Sequence, residues 1–138
     1  MSHVASKPLP KEVQKEIADQ LVRLLVKNGS RSATVLTELL TETEQLMLSK
    51  RLAAIMLLAQ GFSYFRISQT LFMSTSTLKR LHQQLIGGDF ENLEALVRAR
   101  KNREALYEMI GNIIRAGMPP RGRGRWKQID AILARSPA

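Results

Sequence analysis

Apolar side chains recur at spacings of three and four residues along almost the whole chain, and no apolar–polar alternation of period two persists for the length of a strand. A stripe of that period lies along one side of a helix. Val13, Ile17, Leu21, Leu24 and Leu25 mark a first helix that begins near Pro10 and stops at Asn28-Gly29. Val35, Leu36, Leu39 and Leu40 mark a short second one, which Ser30 or Ser32 can cap. Thr41-Glu42-Thr43-Glu44 reads as a capping box. The helix it opens carries Leu46, Met47, Leu52, Ile55, Met56, Leu58 and Ala59 as far as Gly61, and is apolar on more than one face. It is therefore expected to be the central, most buried helix.

Ser63 can cap a helix over Tyr64–Leu71, and Ser74 another over Thr75–Ile86, which Gly87-Gly88 stops. Asp89 begins a pattern through Phe90, Leu93, Leu96 and Val97 that weakens over Arg98–Arg103 and resumes with Leu106, Met109, Ile110, Ile113 and Ile114. This is one helix with a polar midsection, or two meeting near Asn102. Gly117, Pro119 and Pro120 end it; a Gly/Arg-rich loop follows, then a terminal helix from Trp126 to Leu133. There Trp126 is expected to dock the helix through Ile129, Ile132 and Leu133. The expected fold class is all-α, in three stretches: 1–88, 89–117 and 118–138.

With 138 residues, 44% of them hydrophobic, the chain suits one domain with a tail. No apolar run reaches the ~18 residues of a spanning helix. Met1 to Pro10 lack the apolar stretch and small-residue cleavage site of a secretory signal, so none is expected. Cysteine is absent, which excludes disulfides, thiolate zinc sites and thiol nucleophiles. His3 and His82 are the only histidines and stand far apart, so no metal is expected. Neither paired carboxylates, nor a nucleophile with its base, nor a glycine-rich phosphate loop is found, so the chain is not read as an enzyme. A cytoplasmic, nucleoid-associated protein without membrane contact is expected.

Charge is unevenly placed. Lys and Arg outnumber Asp and Glu 21 to 12, a net +9. Residues 1–44 are neutral, while from Gln45 to Gly88 Lys50, Arg51, Arg66, Lys79 and Arg80 face no acid at all. Residues 89–108 are balanced to within one charge, and 109–138 again carry an excess. Two basic blocks separated by a balanced one suit a polyanionic partner, because a carboxylate on such a surface repels phosphate.

Tyr64 to Arg80 lies in the acid-free block. Two short helices joined by Phe72-Met73-Ser74 make a helix-turn-helix. Ile67, Leu71, Met73, Leu78, Leu81 and Leu85 are expected to face inward, with Ser68 at the close crossing. Ser74 caps the second helix and leaves Thr75, Ser76, Lys79 and Gln83 facing outward to read base edges in a major groove, with Ser74 and Thr77 also candidate DNA contacts. Ser63, Tyr64, Arg66 and Arg80 suit phosphate contacts. Glycine commonly occupies the position of Phe72, because the turn there needs a positive φ. A phenylalanine at that position either costs ~1 kcal/mol or marks a different turn.

Leu39-Leu-Thr-Glu-Thr-Glu44, Lys50-Arg51, Gly61-Phe-Ser63 and Ser74-Thr-Ser-Thr-Leu-Lys-Arg80, in this order and at these separations, resemble the Trp repressor family. The resemblance covers residues 1–88 and is strongest over 39–81. It implies an all-helical, intertwined homodimer that binds double-stranded DNA as a transcriptional repressor, with residues 63–86 as the reading head. In tryptophan-binding members a threonine and two arginines approach the ligand, matching Thr41, Arg51 and Arg80 here. Leu81 replaces the glycine that makes room for that ligand, so no cofactor is expected and tryptophan is not expected as corepressor. Arg51 and Arg80 can instead pair with phosphates or with Glu42 and Glu44.

The second basic block, with Arg121, Arg123 and Arg125 alternating with glycines, is similar to an AT-hook core, though Gly124 replaces its proline. Its arginines either lie extended in a minor groove or touch phosphates loosely from a linker. A sequence-specific regulator is the first reading. The alternative is an architectural DNA-binding protein with little sequence choice. RNA binding has only Phe62, Tyr64 and Phe65 for stacking.

Overall fold

Every described element is helical, as the three-and-four spacing requires. The structure, a computed structural model, describes residues 9–27, 29–116 and 123–137. In chain order the helices are α1 (Lys11–Lys27), α2 (Ser32–Leu39), α3 (Glu42–Ala59), α4 (Tyr64–Leu71), α5 (Thr75–Ile86), α6 (Glu91–Arg98), α7 (Arg100–Ala116) and α8 (Arg123–Leu133), with a 3-10 turn at Gly29–Arg31. No strand occurs among the described residues, and no helix there is long and apolar enough to cross a membrane. The chain divides into two compact units, Met1–Leu48 and Ser49–Ala138.

In the first unit the capping box forms as read. The Thr41 amide donates to Glu44 Oε1 at 3.0 Å, and the Glu44 amide donates to Thr41 Oγ1 at 3.1 Å. Hydrogen bonding to Thr41, its backbone amide foremost, holds the Glu44 carboxyl below its ordinary pKa of 4.5. Gln45 Nε2 closes the corner by donating to the carbonyls of Thr37 and Leu40 at 3.1 and 3.0 Å. The expected serine cap on α2 is not made. Arg31 holds the cap position without a side-chain bond, and the Ser32 hydroxyl donates instead to the Leu25 carbonyl at 2.5 Å. That bond uses a carbonyl near the end of α1, where no helical partner is available. No residue of α1 or α2 is buried. Ile17, Leu21 and Leu24, the stripe that defines α1, are 50%, 46% and 63% exposed.

The second unit holds the core. Ala53 to Leu58 of α3 are all buried, six consecutive positions and hence every face of the helix. Around them pack Ile67, Leu71, Leu78, Leu81, Val97, Leu106, Ile110 and Ile132. Removing apolar surface of this kind from water contributes about 1.5–3 kcal/mol per large side chain. Gly61 turns the chain from α3 to α4 at φ 91°, a conformation other residues rarely adopt.

Three boundaries differ from the sequence reading. The helical pattern beginning at Asp89 becomes α6 only at Glu91, with Phe90 at the cap position and no side-chain bond there. The polar midsection is a break: Ala99 is extended at ψ 128°, and Asn102 Nδ2 donates to the Leu96 carbonyl at 2.9 Å. The two helices thus meet at Ala99, with Asn102 satisfying a carbonyl that the break leaves without a helical partner. Last, α8 begins at Arg123, three residues before Trp126. Arginine is a good helix former, and docking of Ile129 and Ile132 on the core extends the helix upstream. Arg123 and Arg125 therefore have helical backbone, which is neither the extended path nor the loop weighed for them; Arg121 lies outside the described residues. The helix docks without the expected help of Trp126, which is 49% exposed, or of Leu133, also exposed.

Candidate nucleic-acid interface

The two serines expected as caps perform that role. Ser63 sits at φ −71°, ψ 154° and its hydroxyl accepts from the Arg66 amide at 3.2 Å. Ser74 repeats the geometry at φ −70°, ψ 146°, accepting from the Thr77 amide at 3.2 Å. Each cap satisfies one amide of its helix start and leaves an end whose dipole favours an anion.

Between the caps, the turn opens with a positive φ. Phe72 lies in the left-handed region at φ 57°, ψ 45°, and its amide donates to the Ser68 carbonyl at 3.0 Å. The phenylalanine accepts the strained backbone rather than altering the turn. Its ring is 40% exposed and carries Lys50 Nζ 5.7 Å from its centroid, an arrangement that sequence reasoning missed. Such a cation over a ring face contributes about 0.5–1 kcal/mol at an exposed site. Ile67, Leu71, Leu78 and Leu81 are buried as expected, and Met73 and Leu85 pack against that core from its edge. Ser68 is half-buried, with its hydroxyl donating to the Phe65 carbonyl at 2.8 Å.

On the outer side of α5, Thr75, Ser76, Lys79, Arg80 and Gln83 are all exposed. Short hydroxyl residues at the helix start and longer polar ones a turn later make a surface that can approach base edges closely. Thr77 is less available: it is half-buried and its hydroxyl bonds that of Ser74 at 2.8 Å. Tyr64 is also engaged. Its hydroxyl lies 2.6 Å from His82 Nδ1, with the rings edge to face at 5.5 Å, so this pair joins the start of α4 to the middle of α5. A spacing of 18 residues between two helices gave no sequence signal for that bond.

Arg66 is held by the far end of the chain. Its Nε donates to Gln128 Oε1 at 3.0 Å and its Nη1 to the Ser136 carbonyl at 2.8 Å. The residues matched to a tryptophan site do not share one role. Thr41 is committed to its capping box, while Arg51 and Arg80 are exposed. Among the described residues the ion pairs are Arg98–Glu94 and Arg135–Glu104, so the pairing weighed for Arg51 and Arg80 with Glu42 or Glu44 is not made. Leu81, at 5% exposure, is part of the core. Among the described residues no cluster of three or more His, Cys, Asp or Glu could hold a metal ion.

The assembled site is thus a capped, outward-facing helix bearing hydroxyl, amide and cationic groups, carried on an acid-free stretch of chain. No protein-family model, curated protein or solved structure matches the chain.

Proposed function

We propose that this protein is a sequence-specific double-stranded DNA-binding regulator of transcription, a repressor of the Trp repressor type, which inserts α5 into a major groove as a homodimer. The observation that carries the reading is the Ser74-capped helix: Thr75, Ser76, Lys79 and Gln83 are presented together beyond a left-handed turn at Phe72, with no acid between Gln45 and Gly88. Hydroxyls and an amide discriminate base edges, and Lys79 reaches a guanine edge. Arg80 and the helix starts hold phosphates.

The dimer is supported by α1 and α2. Neither contains a buried residue, yet both carry regular apolar stripes, so an apolar surface is left for a second copy to cover. A two-fold dimer reads two half-sites about 10 bp apart.

Selection of bound sites from random duplexes tests the proposal. It should yield a palindrome of that spacing, while sedimentation at tens of micromolar should give a dimer. A monomer would remove the palindrome. Recovery of unrelated sequences with equal affinity would favour the architectural reading, in which phosphate contacts supply nearly all the binding.

A further inference from the structure

Arg66 stands in the first turn of α4, where the proposed DNA complex needs a phosphate contact, yet α8 and the turn beyond it take two of its donors. A guanidinium grips an oxyanion best through two parallel N–H bonds, and the side-on fork includes Nε. That Nε is given to Gln128.

The segment that holds it is itself fastened. After α8 the chain turns back, with the Arg135 amide donating to the Ile132 carbonyl and the Ser136 amide to the Ala131 carbonyl, both at 2.9 Å. The turn places Arg135 at φ 59°, a conformation that normally selects glycine or asparagine. The arginine side chain there is held at both ends of its guanidinium fork. It makes a bidentate pair with Glu104 at 2.5 and 2.7 Å, and its guanidinium lies 4.4 Å from the centre of the Tyr107 ring. Tyr107 is buried and donates from its hydroxyl to Gln60 Oε1. Docking of α8 has its own apolar contribution from Ile129 and Ile132, both buried. A residue set against its backbone preference, and tied down by its side chain, points to a role for the turn itself.

We propose that the turn over residues 134–137 is an autoinhibitory latch. Gln128 and the Ser136 carbonyl hold Arg66 against α8, and the clasp of Arg135 on Glu104 and Tyr107 keeps the latch shut. DNA gains a bidentate Arg66–phosphate contact only when the turn releases. The cost of release lowers the apparent affinity by the fraction of molecules that are open. It falls hardest on DNA that offers no phosphate opposite Arg66, so the latch favours well-fitting sites. This inference rests on the DNA-binding reading above.

The test is a chain carrying Gln128→Ala, Arg135→Ala and Ser136→Pro. Alanine keeps the left-handed strain at residue 135 without the clasp, and proline removes the amide that donates to Ala131 and disfavours the turn at the residue before it. This chain keeps Ile129 and Ile132 and loses one positive charge, so charge alone predicts weaker binding. The latch predicts binding to duplex DNA about three- to tenfold tighter. It also predicts a log–log salt slope steeper by about 0.9 per protomer, one counterion for each new phosphate contact. Adding Arg66→Gln should erase both gains, whereas in the unaltered chain the same change should shift affinity by less than about twofold. Unchanged or weaker binding by the triple variant, or equal losses from Arg66→Gln in both backgrounds, would make Arg66 a structural tether and overturn the latch. If the triple variant fails to fold by circular dichroism, Gln128→Ala alone must show the same sign at smaller size. Should the unaltered chain not bind duplex DNA even at low salt, the functional reading fails and the latch with it. Binding by the unaltered chain with no gain in the variants sinks the latch alone.

Discussion

Replacing Phe72 by glycine and by alanine separates the backbone of the turn from the packing of its ring. Phe72 holds φ 57° with its ring 40% exposed and Lys50 Nζ 5.7 Å from the centroid. Either substitution loses the buried part of the ring, roughly 1–2 kcal/mol, and the cation–ring contact, about 0.5–1 kcal/mol. Alanine must still occupy the left-handed region, which costs an L-residue roughly 1–2 kcal/mol, while glycine does so freely and gives back part of that advantage as chain entropy. The expected order is therefore unaltered chain, then Phe72→Gly, then Phe72→Ala, with glycine above alanine by about 1 kcal/mol. This is the reverse of the order in a helix interior, where alanine wins by about as much. Urea unfolding at one fixed protein concentration reads the difference directly, because any dimer term is then common to both variants. Alanine equal to or more stable than glycine would mean that residue 72 does not sit in the left-handed region. The turn that aims α5 would then be wrong.

Two further outcomes concern titration and ligand. Glu44 has its carboxyl held below 4.5 by Thr41, so the stability it adds is present above that value and is lost as pH falls through its folded pKa. The melting temperature should drop more steeply in acid, below about pH 4.5, for the unaltered chain than for Glu44→Gln; parallel profiles would mean the capping box does not form in solution. Because Leu81 fills core space at 5% exposure, titrating tryptophan to millimolar levels should leave the DNA dissociation constant unchanged. A tightening of about tenfold would require a pocket to open despite that side chain.

Much of the fold is legible because its determinants are local. The Thr41–Glu44 box, the Ser63 and Ser74 caps and the Gly61 turn are written in residues a few positions apart, and all form. The buried second half of α3 follows from a helix apolar on more than one face. Failures came where a distant partner decides. Ser32 serves the Leu25 carbonyl rather than its own helix, and Ile129 and Ile132 draw the start of α8 upstream to Arg123. At the candidate site the outward face of α5 was readable from helical period alone. The bonds of Arg66 to Gln128 and Ser136 span 62 and 70 residues, and that of Tyr64 to His82 joins two helices, so neither leaves a local pattern. Lys50 over Phe72 is hidden for the same reason.

The central claim is that α5 chooses sequence. The most direct measurement of it is the affinity ratio between a selected duplex and a random one of equal length, for the unaltered chain and for Lys79→Ala, at one salt concentration. Lys79 is exposed on the second turn of that helix. The account predicts a ratio of about 10³ or more for the unaltered chain. It predicts a loss of about 1–3 kcal/mol on the selected duplex for Lys79→Ala, with little change on the random one. Equal losses on both duplexes would put Lys79 on a phosphate, and a ratio near one for the unaltered chain would contradict sequence reading by α5 altogether.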